Sequence, residues 1–322
     1  MPLFSIITPC YNSAKWIGRC IESITVANRD ADYEFIIIDD GSSDDTFAIC
    51  SKYAHEESRI RLFSRENRGY CATMNELVSL SKGHFIVSLD SDNWLSDNCL
   101  IELQRIFSDR PDLDFIQFPT VNHDFVLNTT KVLNQRETDE YLCSRQDIER
   151  AISSRSINLS THGAKAIKRD LFLDCVRFSG DPAGADGRVM ERISFLSRRV
   201  LLINQRISLH VEMRDSSLSN IARDPGFWLR YLKEEINAFS LFETHRGCAT
   251  MPIAELTKTY DIYTFILTKA SIGFICRHRS IGFAVWRRRR ELVAGGAKRR
   301  IKQFVCCFFP CTAHLFISAA TK

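Results

Sequence analysis

Residues 85–95 read FIVSLDSDNWL, an apolar run closed by two carboxylates one residue apart. Phe85, Ile86, Val87 and Leu89 have the length and composition of a strand covered on both faces. Asp90 and Asp92 then follow with no basic residue in the next ten positions. Charges so placed repel each other unless a cation or a polar ligand lies between them. Oxygen donors of this kind suit a hard divalent ion, Mg2+ or Mn2+, which takes one or two carboxylates and fills its shell with water and substrate phosphates. The alternative is a solvated turn in which Ser96 and Asp97 open the next helix.

The same arrangement recurs upstream. Residues 3–8 (LFSIIT), 34–39 (EFIIID), 59–63 (RIRLF) and 84–89 (HFIVSL) read as strands, with helices between them near 13–26, 46–54 and 70–81. Strands apolar along their whole length and separated by helices indicate a parallel sheet covered on both faces, with ligands held beyond the strands' carboxyl ends. Each polar cluster falls at such an end: Thr8-Pro9-Cys10-Tyr11-Asn12, Asp39-Asp40-Gly41-Ser42-Ser43, Glu66-Asn67-Arg68-Gly69 and Asp90-Ser91-Asp92-Asn93. Ser43 or Asp44 serves as a helix cap, which leaves the two aspartates before the turn to be explained. One can hold the loop while the other faces the cleft, where a carboxylate can accept the imide N–H of a uracil ring. Beyond Pro111 the pattern predicts shorter strands at 114–119 and 165–168, helices near 139–153 and 185–196, and a strand or two within 200–210. Amphipathic helices follow from Pro225, and a soft domain boundary falls near Arg223.

The 322 residues are 45% hydrophobic and 25% charged, ordinary for a globular protein with a sizeable core. The net charge of +4 is unevenly spread, since Arg287 to Arg290, Lys298, Arg299, Arg300 and Lys302 crowd near the end. Twelve cysteines without a CxxC spacing read as reduced thiols of a cytosolic protein. The opening MPLFSIITPCYN has no basic segment before its short apolar stretch, so no signal peptide is expected. The sequons at Asn128 and Asn158 are then chance matches. Residues 304–320 carry no charged residue but are short for a membrane span and are interrupted by Pro310. Beside the basic clusters they read as an interfacial anchor with Phe304, Phe308, Phe309, Leu315 and Phe316 in the acyl boundary. A helix packed on the body of the protein is the alternative. Nucleic acid is not an expected partner, because the aromatics sit apart from the arginines.

Taken in order, IITPCYN (6–12), FIIIDDGSSDDT (35–46), ENRGYCATMNEL (66–77) and GHFIVSLDSDNWL (83–95) resemble the family 2 glycosyltransferases. The likeness is close over 3–107 and weaker over the next hundred residues. It implies a GT-A fold, an α/β Rossmann-like nucleotide-binding architecture with a mostly parallel central sheet, here followed by a helical C-terminal extension. It further implies sugar transfer from a nucleotide-sugar donor, usually a UDP-sugar, with inversion and with Mn2+ or Mg2+. By position, Thr8, Pro9 and Tyr11 would lie against the nucleoside, Asp40 would read the base, and Arg68 would approach the base or diphosphate, with Asn67 and Asn75 bracing its loop. Asp90 and Ser91 would face the nucleotide sugar, and Asp92 with Asp90 would serve the metal. Asn93 stands where members often carry a third aspartate.

Inversion requires a general base opposite the leaving group. SGDPAGADGRVMERISFLSRRVLLIN (179–204) resembles the family's acceptor-side region, and Asp186 matches its acid, with Asp181 and Glu191 as competitors. A carboxylate favoured at a helix start is the plainer reading of Asp186. THGAKAIKRDLF (161–172) resembles the family's strand leading into a basic helix start. In HVEMRDSSLSN (210–220) Arg214 matches the basic residue that would pair with the diphosphate. His162 and His210 read as packing or hydrogen-bonding residues. The resemblance gives a catalytic domain over 1–223, divided at 110 into donor and acceptor halves, and a membrane-associating region over 224–322. The resulting expectation is a bacterial enzyme of surface polysaccharide or glycoconjugate assembly, peripheral at the inner face of the cell membrane, with a glycan or lipid-linked acceptor. The rivals are a non-catalytic nucleotide-sugar-binding scaffold and a nucleotidyltransferase, although TPCYNSAKW lacks the latter's glycine-rich phosphate loop.

Overall fold

The computed structural model describes residues 1–212 apart from 126, 134–135, 155, 159–160, 176–177, 179–184 and 205. Of the chain's two units, Met1–Arg214 and Asp215–Lys322, the second lies outside the described residues, and with it the helical extension and basic tail. The first half alternates strand and helix: β1 (Phe4–Cys10), α1 (Ile17–Thr25), β2 (Tyr33–Asp39), α2 (Thr46–Glu56), β3 (Ile60–Ser64), α3 (Tyr70–Leu80) and β4 (Phe85–Ser88). Next come β5 (Asn93–Leu95), α4 (Cys99–Asp109), β6 (Phe115–Gln117), β7 (Thr120–Asp124), β8 (Thr129–Leu133) and β9 (Glu140–Leu142). The described chain ends with α5 (Arg145–Ser153), β10 (Lys165–Lys168), α6 (Arg169–Cys175), α7 (Ala185–Leu196), β11 (Val200–Leu202) and β12 (Leu209–Glu212).

The first three strands and β4 pair in parallel, in the order β3-β2-β1-β4, as the uniformly apolar runs require. Successive side chains point to opposite faces of a strand, so each face carries its own core. Phe4, Ile6, Phe35, Ile37 and Val87 pack with Ile17, Ile21 and Leu103 of the helices on one side. Ile7, Ile36, Ile38 and Ile86 pack with Met74, Leu77, Val189 and Ile193 on the other. The sheet continues from β4 through β10, β6, β11 and β9, and here the pairing is mixed. Strand β10 runs antiparallel to both β4 and β6. Reversal of β10 matters for function, because it brings the segment before Lys165 to the end of β4 where Asp90 lies. A second sheet of order β5-β12-β7-β8 packs beside α1, with the Arg19 guanidinium 3.6 Å from the centre of the Trp94 ring.

The opposite end of the sheet is tied by polar side chains. Glu34, 8% exposed, accepts from Ser5 Oγ at 2.7 Å and the Lys82 N–H at 2.5 Å, and pairs with Arg61 at 2.6 Å. Gly83 passes so near β1 that a Cβ there would stand 2.5 Å from the Ser5 nitrogen.

Two expectations are corrected in detail. The helix expected from 139 is a strand, β9, followed by α5. The helix starts only after Ser144, whose hydroxyl accepts the Asp147 N–H at 3.1 Å and caps it. The first helix starts at Ile17 rather than near 13; before it the Ser13 carbonyl accepts the Trp16 and Ile17 N–H groups in a turn, and the Ser13 and Ala14 amides reach the Thr46 and Asp44 side chains.

Candidate active site

Short side chains brace the loops at the carboxyl ends of β1 to β4. Asn12, at φ 49°, donates its N–H to Ser42 Oγ and accepts the Ser43 N–H at Oδ1, each at 2.9 Å. The Ser13 N–H reaches Thr46 Oγ1 at 2.7 Å, and the Ala14 N–H reaches Asp44 Oδ2 at 3.1 Å. Asp44 also accepts the Thr46 N–H at 3.0 Å, but it lies one residue before the helix cap expected of it or Ser43: the cap position of α2 is Asp45, which makes no side-chain cap hydrogen bond. Asp39 is buried and accepts the Ser42 N–H and hydroxyl and the Ser64 hydroxyl, so it is the member of the pair that holds the turn.

Asp40 reaches across to the next loop. Its Oδ1 accepts the Arg68 N–H at 3.0 Å, its Oδ2 accepts the Gly69 N–H at 2.8 Å, and Arg65 pairs with it at 3.2 Å. Oδ1 thus faces both Arg68 and Arg65, and Oδ2 retains a second lone pair for a ligand. Thr8 is fully buried and donates to the Leu89 carbonyl at 2.6 Å, joining the ends of β1 and β4. Pro9 is half-buried, and Tyr11, 53% exposed, presents its ring to solvent. Arg68 is exposed on the same rim. Asn75 braces a different segment from the one expected: its amide exchanges hydrogen bonds of 2.7 and 2.9 Å with the Phe178 backbone.

Asp90, Ser91 and Asp92 form the half-buried turn between β4 and β5. Ser91 Oγ lies 2.7 Å from Ser13 Oγ, which ties this turn to the one after β1. Asn93 is buried, and its N–H donates to the Asp90 carbonyl at 2.9 Å. Its side-chain amide faces Asp90 Oδ2 at 3.4 Å, so the residue braces Asp90. Among the described residues no three His, Cys, Asp or Glu side chains converge as a metal-binding group. Two carboxylates nevertheless fit a hard divalent ion that shares its shell with a diphosphate and water. Asp90 and Asp92 are the residues that would hold it.

Asp186 stands in the first turn of α7, and 27% of its side chain is open. Its Oδ1 accepts from Tyr70 Oη at 2.8 Å and lies 3.1 Å from His162 Nε2; those two donors are 3.0 Å apart. Burial alone would raise the Asp186 carboxyl, but the His162 charge and hydrogen bond, the Tyr70 hydrogen bond and Arg188 hold it below its ordinary value. Burial and the nearby charges of Asp186 and Asp90 push the Tyr70 phenol well above its usual range. Burial opposes a charge on His162 and the Asp186 carboxylate outweighs it, which raises that group. The influence of Asp90 on both partners joins the donor rim to Asp186.

Lys165 is 1% exposed, and burial pulls its amine down to about 7. It donates to the Thr161 carbonyl at 2.7 Å and to the Gly163 carbonyl at 3.4 Å, fixing the loop that carries His162. His162 is the hydrogen-bonding residue its sequence context suggested. His210 is another, 2.8 Å from His123 Nε2 through Nδ1 and 2.9 Å from Ser208 Oγ through Nε2. Tyr70, Lys165 and Arg65 were not singled out by sequence. The signals that pointed to them were the aromatic directly after Arg68-Gly69 and the lone lysine opening an apolar strand. Asp181 and Arg214 lie outside the described residues, as does the side chain of Glu191.

An α/β sheet with acids gathered at the carboxyl ends of its parallel strands has the form of the GT-A class of architecture. Its likeness to a solved member is extensive: S. aureus TarS in complex with UDP-GlcNAc superimposes with a TM-score of 0.76 over 99% of this chain and 91% of that one, at 16% identity. Residues 5–174 match the model of Glycosyl transferase family 2, and the chain belongs to that family of enzymes. Glycosyltransferase GlyG of Streptococcus pneumoniae serotype 4 is 27% identical over 240 residues, 72% of this chain and 77% of the relative. Chondroitin synthase of Escherichia coli is 38% identical over 112 residues, 34% of this chain and only 16% of that longer protein. Family membership settles the choice against the scaffold and nucleotidyltransferase readings in favour of glycosyl transfer.

Proposed function

We propose that the chain is an inverting, divalent-metal-dependent glycosyltransferase that uses a UDP-sugar and takes Asp186 as its general base. The observation that carries this is the state of Asp186: one carboxylate oxygen is held by two donors, the group stays ionised, and its side chain remains partly open beside the donor rim. Tyr11, Pro9 and the remaining lone pair of Asp40 Oδ2 take the nucleoside, while Arg68 and the Asp90-Ser91-Asp92 turn take the diphosphate and sugar. Arg214, outside the described residues, is carried in this reading as a second diphosphate partner.

Asp90 and Asp92 would hold a divalent ion, which would offset the negative charge that grows on the departing diphosphate. The acceptor hydroxyl oxygen forms the new bond to the anomeric carbon as the bond to the bridging phosphate oxygen breaks, and its proton passes to Asp186. A UDP donor is supported by the ligand of the TarS complex, and a polysaccharide acceptor by the name of the chondroitin synthase relative. The tail beyond 284, also outside the described residues, would hold the enzyme against anionic lipid beside such an acceptor. Among the described residues no helix is long and apolar enough to cross a membrane.

The test is UDP release from a panel of UDP-sugars with Mn2+ and a candidate glycan acceptor. Asp186→Asn and Asp92→Ala are expected to lower turnover by about a hundredfold or more with unchanged melting curves. Full turnover by either variant, or equal activity in excess chelator, would sink the assignment of that residue.

A further inference from the structure

We propose that Tyr70 and His162 are positioning residues that lock Oδ1 of Asp186 and leave Oδ2 as the atom that receives the acceptor's proton. The inference rests on the reading of Asp186 as base and adds the machinery that orients it. These side chains come from three separate parts of the fold: Tyr70 opens α3, His162 sits in the loop before β10, and Asp186 opens α7. Separations of 92 and 116 residues between Tyr70 and its two partners make the meeting a product of tertiary structure.

The proton on His162 can be located from its surroundings. Nδ1 is buried and has no hydrogen-bond partner among the described residues, so a proton there would be stranded. In the neutral ring the proton therefore sits on Nε2, and in the neutral and charged forms alike that N–H points at Asp186 Oδ1. The Tyr70 hydroxyl donates to the same oxygen. Two donors on one oxygen fix the carboxylate plane, and Oδ2 is left without a hydrogen bond from any described residue.

Each arm of the clamp is itself anchored. Tyr70 follows Gly69, whose N–H is held by Asp40, and its ring meets Phe178 edge-on at 6.2 Å. His162 meets the same phenylalanine edge-on at 5.4 Å, and Lys165 ties down the carbonyls on either side of it. The charged and titratable groups acting on this cluster are Arg188 from α7, Lys165 from β10, Asp90 from the end of β4 and Cys71 from α3.

The variants are Tyr70→Phe, His162→Leu and His162→Gln, with Asp186→Asn alongside, in the full-length enzyme under the UDP-release assay. Loss of a donor raises the pKa of Asp186, so the acid limb of the rate profile is expected to move up by about one pH unit in Tyr70→Phe and His162→Leu. Turnover should fall about tenfold or more with the donor KM unchanged. Gln at 162 keeps an N–H at similar reach and is expected to restore most of the rate and the original limb. Unmoved limbs with Asp186→Asn inactive would overturn the clamp and leave the base assignment standing. A raised donor KM with intact turnover would overturn it in favour of donor binding by Tyr70. Activity in Asp186→Asn would overturn both readings. Phe at 70 keeps the ring packing on Phe178, and equal melting temperatures for Tyr70→Phe and wild type check that the readout is not one of folding.

Discussion

Gly41 and Gly69 show how much of the site depends on single backbone conformations. Gly69 has φ 83° and ψ 162°, a region open almost only to glycine, although a Cβ there would meet nothing within 4 Å. Gly41, at φ 79°, is constrained twice, because its Cβ would also stand 2.8 Å from the Asn67 nitrogen. Gly69→Ala should therefore cost about 1–3 kcal/mol through conformation alone, and Gly41→Ala more than that, both measured by urea unfolding. The two also differ in function. Gly69→Ala shifts the amide that Asp40 holds and the Tyr70 that follows, so turnover should suffer, whereas Gly41→Ala should weaken donor binding first. Equal stability losses for the two would show that the Asn67 contact relaxes freely.

Among the secondary elements, β2 carries the clearest electrostatic prediction. Burial would raise the Glu34 carboxyl, but the Ser5 hydroxyl, the Lys82 N–H and Arg61 lower it below its ordinary value. A folded-state pKa below the unfolded one gives stability that is present above the unfolded value, near about 4.3, and is lost as pH falls through the folded value. Glu34→Gln is thus expected to cost about 1–3 kcal/mol at pH 7, a difference that shrinks in unfolding titrations carried into the acid range. The elements also differ in how far sequence could reveal them. Strands β1, β2 and β4 were legible because they are mostly apolar and buried along nearly their whole length, and β3 by its Ile60, Leu62 and Phe63, although it also carries Arg61 and an exposed Ser64. Strand β8 was not, since Thr129–Leu133 is almost wholly exposed and carries no apolar alternation. Nor was β5, only three residues long. Helix α4 begins after Asn98 with no side-chain cap to announce it, although Leu100, Leu103, Ile106 and Phe107 line its buried face. In the site, the aspartates could be read because they lie in local motifs beside apolar strands. His162 was legible only as a hydrogen-bonding residue and Tyr70 and Lys165 were not singled out, because the cluster around Asp186 arises only in the tertiary structure, where β10 enters the sheet in reverse.

For the molecule as a whole, ligand linkage offers a test independent of turnover. A ligand at a hundred times its dissociation constant stabilises a protein by about 2.7 kcal/mol. UDP with Mn2+ should raise the melting temperature by several degrees where neither does so alone, because the diphosphate and the two acids together complete the ion's shell. Asp92→Ala should abolish the joint effect; a full shift in that variant would place the ion elsewhere. The knot of Ser5, Glu34, Arg61 and Gly83 has a bearing on how such a protein can diversify. It fastens the strands at the edge remote from the chemistry, where close backbone crossings leave little freedom for substitution. The opposite edge is joined by hydroxyls and amides between loops, which leave more room for exchange away from the constrained Gly41 and Gly69. New sugar and acceptor preferences can accordingly be acquired by re-cutting those loops while the anchored edge passes unchanged from one specificity to the next.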